Sequence, residues 1–230
     1  MTKREGKFRL MIIVAAVATV ISTPAGQALA VDLTLHNLTE RIQESYDTIR
    51  DFSAEFTQTA TMQSVRKAVT ESGIVYIKKP KRMYWDYHVP ERKRLIINPE
   101  TAWMYVPEDN MVYIYDADSV FSSKLTLRFL TGVWDMDTDF IISFSPAGRR
   151  DAKGNYRLAL TPKGDGTGIK ALTVTIDRDT YRIVTAEFID LYDNRTLLTF
   201  ENITINNDIP DALFTFEPPP DADIYRQAPQ

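Results

Sequence analysis

The sequence predicts a mainly β protein, one long antiparallel sheet that curls on itself with a helix over its mouth. The composition, 11 Tyr, 11 Phe and 3 Trp against only 9 Gly, suits a β-rich fold better than a disordered chain. Short apolar runs recur at close spacing between turns rich in Pro, Asn and Asp. The predicted order is a helix, about six strands, a short helical insert and about five strands, and a sheet of that length must curl or split.

The first thirty residues have the pattern of a secretory signal. Four basic residues precede an apolar run from Leu10 to Ile21, and Ala28-Leu29-Ala30 forms an A-x-A cleavage pattern. The apolar run is about a dozen residues long, whereas a helix that spans a bilayer needs roughly 20. We therefore expect residues 1–30 to be removed and residues 31–230 to form a single domain.

The chain contains no cysteine. The predicted cleavage site thus lacks the residue that bacterial lipoproteins acylate, and we expect a soluble product without disulfides or thiol chemistry. The formal net charge is −4, and loss of the basic leader makes the mature chain more acidic. An acidic protein is a poor candidate for nonspecific nucleic-acid binding.

The clearest helix is predicted over Leu35–Ile49, where apolar residues fall on one stripe and Asp32 or Thr34 can provide the cap. The pattern changes to period two in Phe52–Gln58, with Phe52 and Phe56 on one face. Further strands are predicted over Lys93–Asn98, Ala102–Val106, Met111–Tyr115, Asp139–Ser145, Tyr156–Thr161, Ile169–Asp177, Arg182–Leu191 and Thr196–Ile205.

Two segments interrupt this rhythm. Ser119–Asp137 is crowded with apolar residues and predicts one or two short helices, although the alternation of Leu125, Leu127 and Phe129 also fits a strand. Near the C-terminus, the prolines of Phe214–Pro220 are expected to end regular structure.

The chain is organised around Gly73–Tyr87, which predicts a strand, a corner at Pro80 and a second strand, because proline cannot donate a ladder hydrogen bond. Alternate residues of a strand share a face. If the faces of the two strands coincide, they form an apolar wall with Lys79 at its rim. The opposite face carries Ile74, Tyr76 and Tyr84, so both faces need cover, or one is left to hold an apolar ligand. We interpret this ligand as lipid.

Catalytic chemistry is nearly absent from the sequence. His36 and His88 have no partners at a spacing that predicts a metal or a general base. The glycine-rich Lys163–Gly168 lacks the spacing of a phosphate loop. We therefore predict no catalytic residue, no metal, no cofactor and no enzymatic activity. A basic cluster over Lys78–Arg94 has two interpretations, a solvated run that protects a sheet edge or a rim that meets an anionic partner.

Several segments follow one another in a characteristic order. They are the amphipathic helix, Phe52-Ser-Ala-Glu-Phe-Thr-Gln58, Gly73 with Tyr76-Ile77-Lys78-Lys79-Pro80, Met83-Tyr84-Trp85, Ala102-Trp103-Met104-Tyr105 and Phe214-Thr-Phe216-Glu-Pro218-Pro219. This ordered set resembles the LolA family of periplasmic outer-membrane lipoprotein carriers over essentially the whole mature chain. The resemblance implies an incomplete, half-open antiparallel β-barrel of about eleven strands with an α-helical lid.

The resemblance also implies a function and its partners. Acylated lipoproteins would be the cargo, released by an inner-membrane ABC transporter and passed to an outer-membrane receptor by a carrier that we expect to be monomeric. Lys79 stands at the family's gate arginine, and Met83 stands where the family often has phenylalanine. Lysine cannot make the forked contacts of arginine. We predict that the acyl chains contact Phe52, Phe56, Val75, Ile77, Met83, Trp85 and Tyr87.

Two other functions are alternatives to the carrier. One is a lipid-sensing regulatory module of the same fold that reports envelope stress, although such proteins usually have a second domain and the mature chain leaves little room for one. The other is an enzyme, which the missing catalytic residues disfavour.

Overall fold

The computed structural model of the protein describes residues 33–118, 120, 136–164 and 168–226. The described helices are α1 (Leu35–Asp47) and the short α2 (Met136–Asp139), with 3₁₀ turns at Pro107–Asp109 and Asp211–Phe214. The strands are β1 (Asp51–Met62), β2 (Lys67–Lys78), β3 (Arg82–Val89), β4 (Lys93–Ile97), β5 (Thr101–Val106), β6 (Met111–Asp116), β7 (Phe140–Phe144), β8 (Tyr156–Pro162), β9 (Ile169–Ile176), β10 (Ile183–Asp190), β11 (Arg195–Ile205) and β12 (Asp223–Arg226).

These strands form one sheet in the order β12-β6-β5-β4-β3-β2-β1-β11-β10-β9-β8-β7. The pairs are antiparallel with one exception: β12, the last strand in the sequence, runs parallel to β6. Strands β7 and β12 are the two ends of this order, so the sheet is open. The predicted fold class, a mainly β protein with an unclosed antiparallel sheet and a helix, is confirmed.

Strand β12 was not predicted, and the expectation that regular structure ends at the prolines is wrong. The chain resumes strand pairing at Asp223 because Asn110, in a left-handed turn, makes two hydrogen bonds to this segment. The Asn110 side-chain amide donates to the carbonyl of Asp221 at 2.8 Å, and the Asn110 carbonyl accepts from the Asp223 amide at 2.9 Å. The predicted signal segment, residues 1–30, and most of Ser119–Asp137 lie outside the described residues.

Helix α1 begins after Thr34, whose hydroxyl accepts a hydrogen bond from the Asn37 amide at 3.2 Å, as an N-cap does. Leu38 and Ile42, one turn apart on the apolar stripe, are completely buried. The helix ends at Asp47, two residues before the predicted boundary. It therefore packs by one apolar face, as its period predicts.

Strand β1 joins the two halves of the sheet. It pairs with β2 along its whole length and with β11 on its other side. The buried carboxylate of Asp51 fixes this junction, because it accepts hydrogen bonds from the backbone amides of Asn207 at 2.8 Å and Asp208 at 3.1 Å. The segment that leaves β11 is thereby held against the start of β1.

The outer face of the sheet, opposite the one that bears Trp85, is covered in part by the C-terminal segment. Phe216 contacts Trp103 and Tyr105 at centroid distances of 6.4 and 5.4 Å, and Phe214 is buried. Trp103 and Tyr105 therefore point away from the Trp85 face, a question that the sequence left open. The Trp85 face, by contrast, is buried in the hydrophobic core that also includes Leu38 and Ile42 of α1.

Candidate functional site

The seven apolar residues predicted to contact a ligand lie on one surface, the inner face of β1, β2 and β3, which we call the wall. The registers bring them together, since Phe52 is opposite Ile77, Ile77 is opposite Met83 and Val75 is opposite Trp85. Six of them are buried within one hydrophobic cluster and the seventh, Phe52, is half-buried against it. The members are Phe52, Phe56, Val75, Ile77, Met83, Trp85 and Tyr87. That they contact an acyl chain stays a prediction.

The wall is shaped by a glycine. Gly73 is opposite Phe56 on β1 and opposite Tyr87 on β3, so the two aromatic rings have no side chain between them. The Phe56 ring lies edge-on to Trp85 at 4.7 Å and to Tyr87 at 5.0 Å. This aromatic cluster is favourable packing, and it forms because β2 contributes no side chain at that point.

The indole N–H of Trp85 is an unusual feature of the wall. The Trp85 side chain is buried, yet its indole Nε1–H has no hydrogen-bond partner among the described residues. An unpartnered buried donor costs about 1–3 kcal/mol. In native structures such a group is explained by strain, by a functional role, or by an ordered water or ion.

The wall has aromatic and aliphatic neighbours on the other half of the sheet that the sequence patterns did not predict. Phe200 of β11 lies 6.0 Å from Phe52 and 6.5 Å from Trp85 between ring centroids. Leu198 and Phe200 share a parity in the predicted strand Thr196–Ile205, which is the signal that could have marked them as inward-facing. Only the β1–β11 pairing places them beside the wall.

Helix α1 lies over the inner face and is tied down near its C-terminal end. The Tyr46 hydroxyl accepts from the Ile183 amide at 3.2 Å, and the Ser45 hydroxyl donates to the Thr180 carbonyl at 3.1 Å. Burial raises the pKa of Tyr46 to about 12, although its hydrogen bond with Ile183 acts in the opposite direction. The phenol is therefore neutral at ordinary pH.

Lys79, the predicted gate, links the strand corner to the end of this helix. Its Nζ donates to the carbonyl of Tyr46 at 2.6 Å, and its backbone amide donates to the Arg50 carbonyl at 2.9 Å. Burial lowers the pKa of Lys79 from its usual value, and the nearby Asp47 partly offsets this. The Tyr46 carbonyl also accepts from the Ile49 amide at 3.1 Å, so the ammonium is a second donor to a carbonyl in the last turn of the helix. The role of Lys79 as a gate stays a prediction.

The basic cluster is largely neutralised within the chain. Asp211 accepts from Lys78 at 2.6 Å and lies 3.4 Å from Arg82, while Lys81 pairs with Asp118 at 2.8 Å. Hydrogen bonding from Lys78 is the main reason that the pKa of Asp211 falls below its usual value. The two pairs with Asp211 fasten the C-terminal segment to the corner. Together with the pair of Lys81 and Asp118, they favour a structural interpretation over a rim for an anionic partner.

A pocket of about 470 Å³ opens between the N-terminal half of α1 and the edge strand β7. Its lining is mainly apolar, with His36 and Lys163 as its basic groups, and no wall residue belongs to it. His36 is close to Glu40 and His88 to Asp86, each at 3.3 Å, on separate elements. In the part of the chain that the structure describes, no group of three His, Cys, Asp or Glu side chains could hold a metal ion.

Comparison with protein families gives a match over residues 47–217 to the model of LolA, the outer membrane lipoprotein carrier protein. The chain belongs to the LolA family. An outer-membrane lipoprotein carrier protein of Chromohalobacter salexigens is 25% identical over 205 residues, which cover 88% of this chain and 94% of that protein. Another from Alcanivorax borkumensis is 25% identical over 219 residues, covering 95% of this chain and 98% of the relative.

Among solved structures, an uncharacterized conserved protein from Thermus thermophilus has a similar fold. It matches with a TM-score of 0.52 and 15% sequence identity, over 84% of this chain and 98% of that chain. At that identity the likeness concerns the fold alone. Within the described residues, no helix is both long enough and apolar enough to cross a bilayer.

Proposed function

We propose that this protein is a periplasmic carrier that binds the acyl chains of lipoproteins released by an inner-membrane ABC transporter and delivers them to an outer-membrane receptor. The observation that supports this most directly is the wall, seven apolar side chains on one surface beneath a helix. Membership of the LolA family, whose model is named for lipoprotein carriers, supports the choice of cargo. A binding protein of this kind needs no catalytic residue.

Entry of an acyl chain requires the helix to move, because the wall side chains pack on one another and α1 lies over them. Three of the described polar ties near its C-terminal end are the bonds of Lys79, Ser45 and Ile183. Each such bond contributes about 0.5–1.5 kcal/mol net, somewhat more for the charged one. Burial of a methylene contributes about 0.8 kcal/mol, so a handful of methylenes offsets the loss of all three.

This balance suits a carrier. The ligand must displace α1 from the wall when it binds, and α1 must be able to return when the ligand leaves. A receptor that binds the acyl chains more strongly then draws cargo from the wall without any nucleotide site in the carrier. The unpartnered Nε1–H of Trp85 adds a polar preference, since the carbonyl of an acyl ester or amide would accept its hydrogen bond.

Two tryptophans on opposite faces provide the test. A lipopeptide whose acyl chains are brominated quenches nearby indoles, so we expect it to quench the emission of the purified protein. That quenching should persist in Trp103→Phe, which alters the outer face, and should fall markedly in Trp85→Phe. Equal quenching in both variants would show that the acyl chains do not occupy the wall.

A lipid-sensing regulatory module of the same fold would use the same wall, and the next step separates the two functions. A carrier loaded with lipoprotein transfers it to outer-membrane vesicles that contain the receptor, whereas a sensor retains lipid and binds a transmembrane regulator. Transfer from the loaded protein supports the carrier. Retention of the cargo together with capture of such a regulator supports the sensor.

We also propose that residues 1–30 are removed on export and that the mature carrier works as a monomer. The mass of the protein recovered from the periplasm tests the first point, because cleavage after Ala30 removes thirty residues. Sedimentation of the loaded protein tests the second.

A further inference from the structure

Two neighbouring hairpin turns expose an unusual amount of apolar surface. One is the turn at residues 63–66 between β1 and β2, and the other is the turn at residues 191–194 between β10 and β11. The Gln63 amide donates to the Asn194 side chain at 3.0 Å, so the two turns form one hairpin tip. Nine large apolar side chains are exposed among the described residues; Val65, Leu191 and Tyr192 lie in the two turns, and Met62 and Leu197 lie in the strands that flank them.

The exposure at the tip is high for side chains of this type. Tyr192 is 83% exposed, Leu191 66% and Val65 63%. Single exposed apolar residues need no explanation, whereas a cluster of them marks an interaction site. The turn itself is well ordered by hydrogen bonds, because the Asp190 carboxylate accepts from the amides of Tyr192 at 2.8 Å and Asn194 at 2.9 Å.

The charge of the tip is opposite to that of the protein. The chain has a formal net charge of −4, yet basic side chains outnumber acidic ones around the two turns. Among the described residues, Arg66 and Lys67 have no acidic partner, while Lys170 pairs with Asp193 at 2.7 Å and Arg195 with Glu187 at 3.2 Å. Asp190 is engaged by its own turn.

The tip also projects beyond the rest of that half of the sheet. Pairing of β2 with β3 begins at Ser72 and Val89, so Lys67–Glu71 extend past the end of β3. A narrow projection cannot bury the roughly 800 Å² per partner of a typical stable protein interface. A tyrosine, aliphatic side chains and unpaired cations are the residues that associate with the headgroup region of a bilayer.

We propose that the hairpin tip docks on the surface of a bilayer that contains anionic phospholipid. Val65, Leu191 and Tyr192 enter the headgroup region, and Arg66 and Lys67 contact the phosphates. The contact is weak and salt-sensitive, because three apolar side chains and two cations make a small anchor. This inference does not depend on lipoprotein transport, since the hairpin tip lies at the end of β1 that is away from the wall.

The absence of cysteine allows a site-specific test. We attach an environment-sensitive NBD probe to the purified Tyr192→Cys variant and add vesicles of phosphatidylcholine, with or without phosphatidylglycerol. The matched control is Ile141→Cys, since Ile141 is 61% exposed but lies on the edge strand β7. We expect probe emission to rise and shift to the blue only at position 192, only with phosphatidylglycerol, and less at high salt.

A second variant tests the cations. In the Tyr192→Cys background, Arg66→Ala with Lys67→Ala should weaken vesicle binding by about thirtyfold. Three results would each overturn the proposal: no response at position 192, the same response at position 141, or a response that depends on protein concentration without vesicles. The last would identify a second copy of the chain as the occupant. Circular dichroism of each labelled variant verifies that it is folded.

Discussion

Replacement of Gly73 by alanine is expected to be among the most damaging single-methyl changes in the described sheet. A Cβ built at Gly73 would lie 1.9 Å from the carbonyl oxygen of Asp86, 2.8 Å from its carbonyl carbon and 3.0 Å from Tyr87 Cα. These atoms are backbone, so no side-chain rotation relieves the contact. Strand β3 must move away by more than an ångström at the point where β2 has a register shift between Ser72 and Gly73.

The magnitude follows from this geometry. Overpacking a well-packed site costs about 1–3 kcal/mol even when side chains can adjust, and here a backbone pair must separate. We therefore expect Gly73→Ala to lower the free energy of unfolding by at least about 3 kcal/mol, a large part of the roughly 5–15 kcal/mol of a typical domain. Because Phe56 and Tyr87 flank this position, quenching by the brominated lipopeptide should fall as well.

Urea denaturation measures the effect, with Gly164→Ala as the matched control. A Cβ at Gly164 meets nothing within 4 Å, so that change should be neutral or slightly stabilising through the unfolded chain. The expected result is a lower midpoint for Gly73→Ala at an unchanged m-value. If the free energies of unfolding of the two variants differ by less than about 0.5 kcal/mol, the range of an ordinary surface substitution, the close approach of β2 and β3 does not exist.

Three further changes test the helix and the outer face. Between pH 10 and 12 the unfolded chain loses the Tyr46 proton while the folded protein keeps it, so this phenol should contribute a fall in stability of roughly 2–3 kcal/mol across that window. Burial also raises the pKa of Tyr87, so urea midpoints should decline in Tyr46→Phe as well, but less steeply than in the unmodified protein. Lys79→Met removes the donor to the Tyr46 carbonyl and should speed amide hydrogen exchange in α1 about tenfold, whereas Lys81→Met, which changes a surface pair, should not. Phe214→Ala should cost about 3–5 kcal/mol by calorimetry, and a change below 1 kcal/mol would mean that the C-terminal segment is not packed on the sheet.

The contacts of α1 show that a local pattern can predict a helix without predicting which distant residues the helix contacts. The stripe of Leu38 and Ile42 indicates which side of α1 is buried, because an amphipathic helix has a single apolar face. It does not indicate that the Tyr46 hydroxyl meets the Ile183 amide, 137 residues away. That contact depends on where β10 lies in the sheet, which is a property of the assembled fold.

The outer face is a similar case. Alternation in Ala102–Val106 shows that Trp103 and Tyr105 share a face, yet it cannot tell inside from outside when both faces are apolar. The answer comes from Phe216, which returns from the C-terminus to contact both rings. The same return adds strand β12 beyond the prolines, because Asn110 offers partners that only the folded β5–β6 turn presents.

By itself the sequence determined the class of fold, the number of described strands to within one, and the parity within each strand, whereas the registers of β1, β2 and β3 put Phe56, Val75, Met83 and Trp85 on one surface. Those first three features are local, since a strand's period of two and a helix's period of 3.6 are set by backbone geometry. Tertiary structure alone decided that β11 returns to pair with β1, that the wall is closed by packing under α1, and that two hairpin turns meet at one tip. Pairings between distant segments depend on which surfaces complement each other once the chain is compact, and no short window of sequence contains that information.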